Sequence, residues 1–460
     1  MSSIWRILLT VGSYLVMHVA GNILDPKSYD PEDVIVTDVA IIGGGAAGTY
    51  AAINLREMGQ KVVLVEKKKH LGGHTNTYTD HTNNVTVDYG VQAYMNNTAT
   101  LCFFAHFGVP LVNYGLFNIT FEATDFNTGQ PVQFAPSRDF SAWAAQLAKY
   151  PWLNSTWNVP LPVDPDLLLP FGDFLAKYNM TSSAFTLYFS ANGLSNPLQQ
   201  PTVNVMKMVN QAFLYQMSGG AVVTARHSNK EIYRKAAVEL GSSALTKSKI
   251  TAVSRPQSGP VSLAVKSRIG SKLIQASKLL ITIPPTLHNL QSLDLNMEEL
   301  ELFTQWKIFG YFTLLLNNTG LPSGVQYINV DNSPTVYHIP EHPSASQITS
   351  TRIPGAVYVY FRSPYDMKRK GVEKAAIKAI QNIQRARNLT QTTPTVLKYK
   401  SHTPFKLSVS ADCIASGFYS NLYALQGKRN TWYSGAAFID HNSGLIWEFT
   451  QSLLPQLVSH

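Results

Sequence analysis

Cysteine is scarce in this 460-residue chain: Cys102 and Cys413 are its two, so at most one bridge can form and a disulfide scaffold is excluded. Charge is scarce too. Asp, Glu, Lys and Arg make up 14% of residues, against roughly 25% in an average soluble protein. The net charge of +9 is spread out, with KVVLVEKKKH the one short basic run, so nucleic acid is not an expected partner. His70, His74, His81 and His106 follow no ligand spacing and no acid or cysteine recurs beside them, so no metal site is expected. A nucleophile elbow, a P-loop and an H-E-x-x-H run are all missing. What is plentiful is apolar side chain: 45% hydrophobic and 11% aromatic residues exclude disorder and can fill the core of two domains. Cys102, inside TLCFFAHF, is expected to act as a small buried hydrophobe.

The first residues have the order of a secretory leader. One cation, Arg6, precedes an apolar stretch from Ile7 to Ala20, and small residues follow with cleavage expected near Gly21. A single membrane anchor is the competing reading, although Ser13, Tyr14 and His18 interrupt the run and no stable insertion is expected. Seven N-x-[ST] sequons, at Asn84, Asn96, Asn118, Asn154, Asn179, Asn317 and Asn388, favour passage through a glycosylating lumen. The expected location is the secretory pathway, either secreted or lumenal in the endoplasmic reticulum or vacuole.

From Val34 the pattern changes to VIVTDVAIIGGGAAGTYAAINLREMGQKVVLVEKKKHLGG. Val39–Ile42 is an apolar run suited to a strand buried on both faces. Gly43, Gly45 and Gly48 then satisfy G-x-G-x-x-G: one for the turn, one for close approach of a diphosphate, one for packing helix on strand. A helix from Ala46 to Met58, with Ala47 in its first turn, aims amide groups at the phosphates. A second strand, Lys61–Val65, ends at Glu66, whose carboxylate is placed to accept hydrogen bonds from ribose hydroxyls. This strand–turn–helix–strand unit binds a dinucleotide, but the fingerprint does not separate FAD from NAD.

The run after Glu66 separates them by resemblance. Glu66-Lys-Lys-Lys-His-Leu-Gly72-Gly73-His74-Thr75 resembles the E-x-x-x-x-x-GG-[RH]-x-x-[ST] extension of the flavin-containing amine oxidase superfamily. There, the paired glycines let the chain pass the FAD diphosphate; the usual arginine is His74 here. The stretch from Gly219 through SKITAVSRP to LLITIPP resembles the family's next nucleotide segment, which implies an adenine contact near Ile250. NTWYSGAAFIDHNSGLIWEF resembles its closing strand, glycine and helix, with Gly435 after the strand and Ser443 opening the helix; Ala436 replaces the usual acid. Within that superfamily the chain resembles the fungal β-cyclopiazonate dehydrogenase group, which shares leader peptides, sequons, GGGxxGTYAA and LGGH. The resemblance implies an α/β, Rossmann-type FAD-binding domain carrying a discontinuous α+β substrate domain. The expected units are a leader at 1–21, FAD-binding segments at 34–100, 215–288 and 395–455, and substrate segments at 101–214 and 289–394.

That resemblance also implies an FAD-dependent oxidoreductase acting on a hydrophobic small molecule by hydride transfer to the flavin, with oxidative cyclisation in secondary metabolism as its use and molecular oxygen as the expected acceptor. An oxidase of simple amines and an FAD-containing isomerase or non-catalytic flavoprotein are the alternatives. Aligning FGYFTLLL with the family's lysine-bearing strand puts Tyr311 near the reacting face, and Asp440 and His441 beside the flavin are candidates for a general base. Read locally, Tyr311 is a core tyrosine and Asp440-His441 a polar pair that caps the last helix, and these readings stand against the catalytic ones. A helix is expected over 221–240, a strand in FGYFTLLLNN and a helix over 366–386.

Overall fold

The computed structural model describes residues 23–115, 119–333 and 335–458. The expected leader at 1–21 and the sequon Asn118 lie outside the described residues. Two sheets organise the chain. The first runs in the order Lys249–Ser254, Val261–Lys266, Ser271–Ile281, Val34–Ile42, Val62–Val65, Ala244–Leu245, with Thr431–Tyr433 paired to the far end of Ser271–Ile281. Val34–Ile42 is parallel to both its neighbours, and the first three strands form an antiparallel meander.

Its centre is the apolar run of the sequence. Val39, Ala40 and Ile41 are fully buried because apolar side chains pack on both faces of the strand, Val39 and Ile41 in one core cluster and Ala40 and Ile42 in another. The helix Ala46–Glu57 lays Ala51, Ala52 and Leu55 on the sheet, and the terminal helix Ser443–Val458 covers it with Trp447, Leu454 and Leu457. The Tyr50 and Trp447 rings stack with centroids 5.9 Å apart.

The second sheet runs Thr395–Ser401, Lys307–Asn317, Val357–Ser363, Ser344–Ser350, Val325–Asn329, Thr120–Thr124, and Phe405–Ser408 also pairs with Lys307–Asn317. Side chains alternate across a strand, so FGYFTLLL divides between two faces. Phe312, Leu314 and Leu316 join Val359, Phe361 and Ile348 in a core roofed by Val372, Ala376, Ile380 and Ile383 of the helix Arg369–Ala386. Tyr311 and Thr313 point the other way, toward the first sheet's glycine turn. This division of faces is what creates the site.

Three local expectations change. Residues 395–408, grouped by sequence with the first unit, pair with the second sheet. The helix expected over 221–240 begins at Lys230; Ala221–Thr224 is a strand, since the β-branched run AVVT pairs with Tyr94–Met95 and Leu111–Asn113. Cys102 is exposed on the helix Thr98–His106, whose inward positions are Phe103 and Phe104, and both cysteines are free. The aromatic, proline-rich stretch forms short helices such as Phe171–Lys177 and Thr202–Met208 around Trp143 and Phe174. Among the described residues no helix is long and apolar enough to cross a membrane, and no cluster could hold a metal.

Candidate active site

Glycine geometry builds the cradle at the C-terminal end of Val34–Ile42. Gly43 has φ +105°, and a Cβ there would press on Ile283 at 2.7 Å. At Gly48 a Cβ would sit 1.9 Å from the Gly43 carbonyl oxygen, so only glycine lets the helix start this close to the strand. Gly45 differs: a Cβ there would meet nothing nearer than the Gly73 Cα, at 3.9 Å. Gly45 and Gly73 pack backbone against backbone, since a Cβ on Gly73 would sit 3.0 Å from the Gly45 Cα, and both strips of main chain are bare of side chains. The Glu66 carboxylate closes one side, accepting from the Gly44 N–H at 2.8 Å and the Lys68 N–H at 2.7 Å, with lone pairs to spare. Ser248 N–H donates to the Glu66 carbonyl, which brings Ile250 to the same edge.

Beyond His74 the chain meets the outward face of the second sheet, and histidines remote in sequence converge. His74 and His402 meet edge to face at 4.8 Å, and His74 and His441 lie parallel at 6.4 Å. Phe405 packs on His441 at 3.9 Å and on Tyr311 at 4.7 Å; Tyr311 continues to Tyr360 at 6.5 Å. Hydrogen bonds set the proton positions. The Thr313 hydroxyl donates to the Tyr89 carbonyl at 2.7 Å, so it accepts from His402 Nε2–H at 3.0 Å and leaves His402 Nδ1 a lone pair with no partner among the described residues. His441 Nε2 instead accepts the Lys406 backbone N–H at 3.1 Å, so its lone pair is engaged.

Loss of solvent, reinforced by Lys68 and Lys400, pulls His74 down to about 4. Burial, then neighbouring histidine and lysine, pulls His402 well below the ordinary range; burial, then Lys406, does the same to His441. All three are neutral imidazoles at neutral pH. Lys406 and Asp440 form a buried ion pair at 2.7 Å, and Asp440 Oδ1 also accepts from the His441 N–H.

Residues 41–107 match the family model described as an NAD(P)-binding Rossmann-like domain. An FAD-dependent oxidoreductase of Monascus ruber is 37% identical over 460 residues, covering 98% of each chain. A beta-cyclopiazonate dehydrogenase of Aspergillus oryzae is 31% identical over 456 residues, 98% of this chain and 99% of its own. The chain belongs to this family of fungal FAD-dependent oxidoreductases. Solved structures share the fold: a CLA-producing fatty acid isomerase from P. acnes, with TM-score 0.73 and 18% identity (92% of this chain, 99% of that one), and putrescine oxidase bound to putrescine, with 0.68 and 13% (93% and 100%).

The cradle fits the family's FAD. The bare main chain at Gly45 and Gly73 suits close approach of a diphosphate, with Ala47 and Gly48 in the first helical turn beside it, and Glu66 offers acceptors to a ribose. His74 does not replace the family's arginine as a cation. Lys68 and Lys400 supply positive charge there: Lys68 Nζ sits 3.1 Å from the Gly73 carbonyl, and burial, then Lys400, lowers its pKa. Gly435 has φ +112° in the turn after Thr431–Tyr433, and Ser443 begins the terminal helix. Asn442 is the cap, its Oδ1 accepting from the Gly444 N–H at 2.9 Å and the Leu445 N–H at 3.4 Å.

The candidate catalytic residues come together unequally. Tyr311 lies in the aromatic wall. Asp440 and His441 stand beside it but are not poised as bases, because Asp440 is spent on Lys406 and His441 on a backbone amide. His402, Phe405 and Lys406 escaped sequence reasoning; the one hint was the polar SHTPFK run after an alternating strand.

Proposed function

We propose that this FAD-dependent oxidoreductase removes hydride from a hydrophobic small molecule, in an oxidative ring closure of fungal natural-product biosynthesis. Bound flavin supplies the hydride acceptor. The chain positions the donor carbon, excludes water and takes the accompanying proton. The carrying observation is the wall of neutral rings, His74, His402, His441, Phe405 and Tyr311, between the glycine cradle and the second sheet. Among the described residues His74 and His402 both keep an uncommitted ring lone pair, and we assign the proton to His402, whose ring the Thr313 hydroxyl holds in place; Tyr311 orients substrate by ring contact. The cofactor contacts follow the cradle: Gly43, Gly45, Ala47, Gly48, Glu66, Gly72, Gly73, His74, Ile250, Gly435 and Ser443. The relatives' names support oxidation as the reaction class.

The visible spectrum of purified protein tests the reading first. A yellow protein whose flavin band bleaches when substrate is added without air supports it; folded protein that stays colourless and takes up no FAD refutes it. Molecular oxygen is the acceptor in this proposal. Mixing the reduced enzyme with aerated buffer should restore the band within seconds, and a reduced flavin that survives for minutes rules oxygen out. We also assign the protein to the secretory pathway, secreted or lumenal. Asn84, Asn179 and Asn388 stand exposed at positive φ, in turns accessible to a glycosyltransferase, which supports this placement. Unchanged gel mobility after endoglycosidase treatment of protein from a fungal host would contradict it.

A further inference from the structure

The outward face of the second sheet continues past the aromatic wall. Register carries it from strand to strand: Tyr358 lies opposite Thr349, which lies opposite Gln326, and Tyr360 lies opposite Gln347. These side chains line a cavity of about 310 Å³, of the size that takes a small molecule. Tyr360 belongs to both places, since its ring stacks on Tyr311 of the redox site.

Three ionisable groups besides the tyrosines line this cavity: Asp88, His227 and Arg352. The Asp88 carboxyl is taken by the Thr77 hydroxyl and the Asn229 N–H. Burial and then Arg352 lower the His227 pKa, so that ring is neutral. Arg352 has no ion pair or side-chain hydrogen bond among the described residues, and its guanidinium is exposed. The Tyr358 hydroxyl has no hydrogen-bond partner there either. An unpaired guanidinium beside tyrosine rings offers a fork of donors for an oxyanion and flat surface for a conjugated ring.

We propose that the cavity binds the substrate as a flat conjugated molecule carrying an acidic oxygen function, a carboxylate or enolised dicarbonyl, with its rings against Tyr358 and Tyr360 and its oxyanion on Arg352. This rests on the oxidoreductase reading, because Tyr360 joins the cavity to the redox site.

The test titrates the holoenzyme with naphthoate, naphthylmethanol and naphthylmethylamine, followed by calorimetry and by perturbation of the flavin band. Naphthoate should bind about tenfold or more tightly than the neutral alcohol, the range of a charge-assisted hydrogen bond, and the amine most weakly. Arg352→Gln should abolish that advantage while leaving the flavin spectrum and the alcohol's affinity unchanged. Tyr358→Leu should weaken all three probes alike. Failure of naphthoate to bind, or an advantage that survives Arg352→Gln, overturns the proposal. The two readings fail separately. Arg352-dependent naphthoate binding to a protein with no flavin overturns the redox reading alone; a bleachable flavin with Arg352-independent binding overturns the cavity assignment alone.

Discussion

Replacing Asp88 with asparagine separates the burial of a charge from the hydrogen bonds its carboxyl accepts. Asp88 is 8% exposed and ties the hairpin strand Val85–Asp88 to the start of the helix Lys230–Leu240 through the Asn229 N–H. Burial pushes it up to about 7, against the opposing pull of the Thr77 and Asn229 hydrogen bonds. An unfolded aspartate titrates near 3.9, so the folded chain keeps a proton that the unfolded chain gives up. The stability this contributes is fully present below the unfolded value and is lost as pH rises through the folded one. At about 1.36 kcal/mol per pKa unit, the loss between about pH 4 and pH 7 comes to about 4 kcal/mol. Asp88→Asn keeps an oxygen acceptor for Asn229 and carries no charge, so its stability should not fall across this window. Urea unfolding of both holoenzymes at several pH values is the assay. The variant should match the wild type near pH 4 to within a hydrogen bond and exceed it increasingly toward pH 8. A gap that does not change with pH, or a wild type that gains on the variant as pH rises, would refute the reasoning.

Lys406→Met leaves the Asp440 carboxylate buried without its cation and should cost about 3–5 kcal/mol in urea unfolding, most of it recovered in the double variant with Asp440→Asn. Gly48→Ala drives a methyl group into the Gly43 carbonyl, and the purified protein should carry much less FAD than wild type by absorbance stoichiometry. His402→Ala should slow anaerobic flavin reduction by substrate about a hundredfold or more, the range of a lost general base, whereas His441→Asn should stay within about tenfold. The reverse order would move the proton acceptor to His441.

The glycine cradle was legible from sequence because its causes are local. Gly43, Gly45 and Gly48 stand within one turn of the apolar run they terminate, and Glu66 follows one helix later. A buried strand, a sharp turn and a helix start each leave their mark on neighbouring residues. The two faces of FGYFTLLL could likewise be sorted by period, Phe312 and Leu314 inward, Tyr311 and Thr313 outward. Period names a face, however, and not the neighbour across it. Residues 395–408 carry the same alternation whichever sheet they join, and backbone hydrogen bonds are alike in either pairing. Their pairing with Lys307–Asn317 brings His402 and Phe405 beside His74 and His441, which lie hundreds of residues from one another or at the far end of the chain. Proton positions followed from the same event, since the Thr313 hydroxyl orients the His402 imidazole and the Lys406 amide engages the His441 lone pair. Contacts between remote segments depend on which strands find each other in three dimensions, and no local pattern of side chains records that choice.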